Sequence, residues 1–277
     1  MNPSYWSSED AEDVVSLAEG YNNLESAERI AARQANELYS RPIKLWYESL
    51  NLYQHAMQNR GKARKDIDPP VVRLRLQLQA QGLASAKAAL DTLMVGYYNV
   101  AFAAIRQLMD IYIQCHYLVI RPEDARFWAT SLAGGIVANP PSCRSMITDL
   151  KRFAARTGDV QFPSESSWQH LYDRWRSLES WTFAPAVEVG IESDTNVEQL
   201  SGFEGGPRHD PGLAIMGFFY GLITLDSLFT MLAEDGRLDI DGQEVHARYH
   251  DELDAWTTSL RDDIQPENED DDEPVDG

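Results

Sequence analysis

"GYYNVAFAAIRQLMDIYIQCHYLVI", Gly96 to Ile120, is among the most apolar long stretches of the chain, yet it carries Arg106, Asp110 and His116. On a helical wheel with Arg106 at 0°, Asn99 falls at about 20°, Asp110 at about 40°, Gln114 at about 80° and Gln107 at about 100°. Ile105, Leu108, Tyr112, Cys115 and Val119 take the opposite side. The spacing predicts a helix buried over most of its circumference, with one polar stripe. Arg106 and Asp110 stand at i and i+4, near enough to pair. The stripe faces either water or a neighbouring polar helix, or else lines a cleft where an Arg–Asp pair could hold a phosphate or carboxylate. His116 lies apart from the stripe, on the apolar side, which reads as a hydrogen-bonded core histidine.

The same helical periodicity runs outward in both directions. Trp46, Leu50, Tyr53 and Met57 repeat at three and four, as do Trp168, Leu171, Tyr172, Trp175 and Leu178. Helices are expected over 9–38, 42–59, 70–94, 97–120, 122–133, 141–156, 165–180, 211–234 and 242–262. Gly96 should divide a tight antiparallel pair. Pro122 opens a helix with acids in its first turn, and Asp210-Pro211 reads as cap and first helical residue. Gly236 reads as a stop. The fold class is therefore all-α, a multi-helix bundle. One segment, residues 186–207, alternates weakly and reads as an ordered loop or a small hairpin. A single helical domain over 1–262 is expected, with the 1–68 helices packing on a 70–262 core bundle and an acidic, disordered tail over 263–277.

Charge excludes some functions. The net charge is −20, and the last sixteen residues hold nine acids and no base, which leaves −11 on the body. An acidic body does not suit a phosphate-backbone binder, although "NRGKARK" (Asn59–Lys65) is locally basic and reads as a solvated loop. Cys115 and Cys143 lack metal spacing and suit free thiols in a reducing cytoplasm. The N-terminus has no signal-peptide pattern. "GLAIMGFFYGLITLDSLFTML" (Gly212–Leu232) is long enough for a membrane, but Asp226 near its middle opposes insertion by roughly 2.5–3.5 kcal/mol. It reads instead as a buried central helix, without a membrane role. A charge in so apolar a helix needs a counter-charge, and Arg106 is one available partner for Asp226.

His246 and His250 place two imidazoles on one helix face, a weak metal signal with no third ligand in view. No GxxxxGK[ST], GxGxxG or GxSxG occurs, and no cofactor is expected. Gly217 and Gly221 have GxxxG spacing, which permits close helix approach.

The segment "LDTLMVGYYNVAFAAIRQLMDIYIQCHYLV" resembles the central helix pair of HEPN-type bundles, α-helical domains of prokaryotic toxin, abortive-infection and defence proteins. The likeness rests on Gly96-Tyr97-Tyr98, on Ala101 to Ala104, and on Arg106 with Asp110. A looser likeness to uncharacterised bacterial and archaeal bundles continues through "LYDRWRSLESWTFAPAVEVG" and "HDPGLAIMGFFYGLITLDSLF", so that the whole spans about Val71 to Leu232. Active HEPN nucleases carry an arginine followed after four to six residues by a histidine, and none of the six histidines here meets that spacing. Arg176 with Thr182 comes nearest, and threonine cannot serve as imidazole does. The resemblance thus implies a bundle without the usual RNA-cleaving pair. The expected function is a non-catalytic helical binding module in a defence or toxin–antitoxin context, with a protein or small-molecule partner and with homodimerisation left open. The alternatives are a ribonuclease with an unconventional site, and an acidic nucleic-acid mimic. Ligand contacts are expected from Arg106, Asp110, Gln114, Arg176 and Asp226.

Overall fold

The computed structural model describes residues 24–59, 69–133, 140–158, 162–183, 210–235 and 237–264. Among them nine helices and no strand are found. They are α1 (24–38), α2 (Ser40–Gln58), α3 (Pro69–Met94), α4 (Tyr98–Ile120), α5 (Pro122–Ala133), α6 (Cys143–Thr157), α7 (Glu165–Phe183), α8 (Pro211–Glu234) and α9 (Ile240–Ile264). The 186–207 segment, Gly236, most of the basic loop and the tail beyond Ile264 lie outside the described residues, as does the stretch before residue 24. Helix α9 runs to Ile264, so helix continues past the boundary expected at 262.

Local chemistry sets the helix ends. Asp210 accepts a hydrogen bond from the Leu213 amide at 3.0 Å, ahead of Pro211 in the first turn of α8. Asp239 does the same for the Gly242 amide at 2.8 Å. Ser164 caps α7 through the Ser167 amide at 3.2 Å. Gly96 turns the chain with φ 81, a left-handed conformation that side chains resist.

Helices α3 and α4 return antiparallel from that turn. Ser85 donates to Gln107 Oε1 at 2.9 Å, Gly82 lies against Ile111, and the Arg75 carbonyl lies beside Cys115, pairs that step away from Gly96 on both helices. Helix α4 is the hub, packing against α3, α5, α6, α7 and α8. Two apolar cores result. The larger gathers Trp46, Tyr53, Leu90, Phe102, Phe218 and Phe229 from α2, α3, α4 and α8. The smaller gathers Val71, Ile113, Trp128, Ile147, Leu150 and Trp168. Tyr112 and Trp175 touch both.

The GxxxG spacing is used for contact. A Cβ at Gly221 would stand 2.0 Å from Trp46 Cη2, and one at Gly217 2.3 Å from Leu93 Cδ2. The missing side chains let α2 and α3 close onto the α8 backbone. Pro211–Glu234 is long and apolar enough to cross a bilayer by length and composition, and half of its most apolar window is buried in the protein. One smaller expectation needs correction: Val119, placed on the buried side of α4, is 43% exposed. Trp128 and Trp256 are buried.

Candidate functional site

The polar stripe of α4 faces α6 and α7. Trp175 Nε1 donates to Asp110 Oδ1 at 2.7 Å, and the Cys143 thiol hydrogen-bonds the same carboxylate. Burial, reinforced by Asp110, pushes the Cys143 thiol pKa up. The Arg106 guanidinium lies 4.3 Å from the centroid of the Trp175 ring. No direct Arg106–Asp110 ion pair is found among the described residues; Trp175 touches both side chains. Trp175 reaches the stripe from α7, offering its face to the cation and its N–H to the anion. Tyr172 stacks on Trp175 at 6.1 Å, and Arg176 stands 6.0 Å from the Tyr172 ring. Arg106, Asp110 and Arg176 thus share one aromatic ladder. Gln114 is half-buried on the same helix.

Asp226 does not meet Arg106. Its carboxylate faces α9, with Oδ1 3.4 Å from His246 Nε2 and Oδ2 3.1 Å from His250 Nδ1. The polar partners demanded by the apolar helix come from the HxxxH pair, one turn of α9 matching the two oxygens of one carboxylate. His246 also packs edge-on against Phe229 at 4.5 Å. Among the described residues no group of three or more His, Cys, Asp and Glu side chains is arranged to hold a metal.

The most buried charge pair was not among the expected residues. Arg75 Nη1 lies 3.0 Å from Asp235 Oδ1, with the side chains 4% and 9% exposed. It ties α3 to the C-terminal end of α8. The Cys115 thiol beside it is pushed up to about 12 by burial, against the opposing pull of Arg75. A sequence signal existed, since Arg75 continues the buried line Val71, Gly82, Ala86 and so falls on the apolar face of α3.

The open space lies elsewhere, in a groove between the first half of α7 and one face of α8. It has two adjoining parts, of about 400 and 630 Å³, which share Tyr112, Pro163, Ser167 and Ser227. Along α8 the groove face is Tyr220, Thr224, Ser227, Thr230 and Glu234, at helical spacing. Arg174 and His170 stand at the narrower part, Glu165 and Glu234 at the wider. Many hydroxyl protons are already committed. Thr224 donates to the Tyr220 carbonyl at 2.7 Å and Ser227 to the Ile223 carbonyl at 2.8 Å. Ser164 Oγ shares hydrogen bonds with the hydroxyls of Ser166 and Ser167.

His116 lines the wider part and is 8% exposed. Its ring packs against Tyr112 at 4.6 Å, Trp168 at 5.1 Å and Phe162 at 5.4 Å. The expectation of a core position holds, but that of a hydrogen-bonded one fails at Nε2, which has no partner among the described residues. Aromatic edges surround it where a polar group was expected. Burial, with the Arg75 charge adding to it, holds its pKa down to about 3, so the ring is neutral near pH 7. The Tyr112 hydroxyl is pushed up by burial and then by the Glu234 charge, so that carboxylate is felt inside the groove.

No family model matches this chain, and neither a curated protein nor a solved structure does so.

Proposed function

We propose that the chain is a non-catalytic helical binding module whose ligand surface is the α7–α8 groove. The observation that carries this reading is the chemistry of the lining. Thr224 and Ser227, their protons committed to the backbone, offer oriented lone pairs, and aromatic rings supply apolar contact. The imidazole in the wall is neutral and a poor proton acceptor near pH 7. The resemblance to toxin- and defence-associated bundles suggests the setting, with a small molecule or a partner group as occupant. The test is a thermal-shift screen of small amines, carboxylates and phosphates on the full chain and on two groove-filling variants, Ser227→Phe and Thr230→Trp. A response present in the native chain and lost in both variants supports the reading. Responses that survive groove filling refute it.

A second reading, an unconventional ribonuclease, draws on the shared ladder of Arg106, Trp175, Tyr172 and Arg176. It requires RNA cleavage by purified protein that disappears in Arg106→Ala. Cleavage of that kind would displace the binding reading.

A further inference from the structure

We infer that the wider part of the groove takes the ammonium group of a small aliphatic amine. The inference rests on the groove being the binding surface and adds the sign and shape of the occupant. Three carboxylates, Glu165, Asp226 and Glu234, stand at this part, Asp226 with His246 and His250 beside it, and its described lining contains no lysine or arginine. Ser227 beside them presents an acceptor, because it gives its proton to the Ile223 carbonyl. A surface of acceptors calls for a ligand made of donors, and an ammonium group has three.

His116 supplies an independent observation. The side chain is more than nine-tenths buried and lines the groove, and its Nε2 has no hydrogen-bond partner among the described residues. An unmet polar atom in an apolar wall is unfavourable until something meets it. A neutral imidazole with its proton on Nδ1 offers Nε2 as an acceptor, the role an N–H donor needs. Tyr112, Phe162 and Met231 line the same space and suit an aliphatic stem.

The start of α7 also borders this space, and a helix N-terminus ordinarily favours anions. Here that attraction is already answered. Ser164 occupies the Ser167 amide at 3.2 Å, and Glu165 places a negative charge in the first turn. A phosphate or carboxylate would meet Glu165 and Glu234 in its approach, so the balance falls to the cation.

Calorimetric titration of the full chain at low salt with hexylamine, hexanoate and inorganic phosphate tests the assignment. Hexylamine should show one saturable site per chain, weakened at least ten-fold in Glu165→Gln/Glu234→Gln and weakened again in His116→Phe. Both glutamates are exposed, so the double variant should keep its fold, checked by circular dichroism. Hexanoate and phosphate should give no saturable heat. Hexylamine binding that is absent, or unchanged in the double variant, overturns the assignment, the latter exposing simple attraction to an acidic chain. Saturation by hexanoate or phosphate overturns it as well. If hexylamine fails while another probe loses its thermal shift in Ser227→Phe, the groove remains the binding surface and the amine alone is wrong. If no probe responds to groove filling, both fall.

Discussion

Helix α8 turns Gly217 and Gly221 toward α2 and α3 and Ser227 and Thr230 toward the groove, and the two faces serve opposite ends. On the glycine side Trp46 and Leu93 occupy the volume that a Cβ would need. On the groove side Ser227 bonds a carbonyl of its own helix, so that its hydroxyl needs no neighbour to satisfy it. One sequence of twenty-four residues thereby builds both a dry contact and a wall for a groove. Residue size decides how near a neighbour can come, and self-satisfied polarity decides whether a neighbour is needed.

The largest test of the packed side is at its C-terminal anchor. Asp235→Ala leaves Arg75 as an uncompensated buried cation and should cost about 3–5 kcal/mol in urea denaturation. A loss below about 1 kcal/mol would mean that the pair adds little to the α3–α8 contact. Next comes Gly221→Ala, which drives a methyl into a rigid, fully buried indole. Overpacking of this kind should cost about 1–3 kcal/mol and change the environment of Trp46. A neutral outcome would show that α8 can step away from α2, and the distinction between its faces would weaken.

The groove side has its own signature in acid. His116 is held at about 3 in the fold against an ordinary 6.5, so between those values the unfolded chain binds a proton that the folded chain lacks. Stability should therefore fall as pH drops from 6.5 toward 3, with a limiting slope of about 1.4 kcal/mol per pH unit from this group. His116→Phe should flatten that part of the acid limb, and an unchanged slope would place a proton acceptor beside the ring. The smallest effect is expected from Ser227→Ala, within about 0.5 kcal/mol of the native stability, since the lost hydroxyl serves only its own helix. A large loss there would make the groove face part of the core.

Much of the architecture was legible because helix ends and faces are decided locally. Asp210-Pro211, Pro122 and Gly96 each announce a boundary through their own backbone chemistry, and the α8 glycines announce a close approach. Partners were not legible in the same way. A wheel places Asp110 on a stripe, yet the indole that meets it comes from 65 residues away. It also shows that Asp226 needs a polar partner, but cannot choose between Arg106 and the α9 histidines, because helix order in space makes that choice. Arg75 was open to the reasoning applied to Arg106, as a cation on an apolar face. The His116 surroundings depend on Phe162 and Trp168, whose arrival no periodicity in α4 could announce.

The Gly96 turn has a kinetic consequence. Helices α3 and α4 meet through a short connection, so their loop closes early, whereas Arg75 and Asp235 lie 160 residues apart and join only when the chain has nearly finished collapsing. Losing that ion pair should then shorten the lifetime of the finished molecule more than it delays assembly: Asp235→Ala is expected to steepen escape from the native basin while leaving the entry rate almost unaltered.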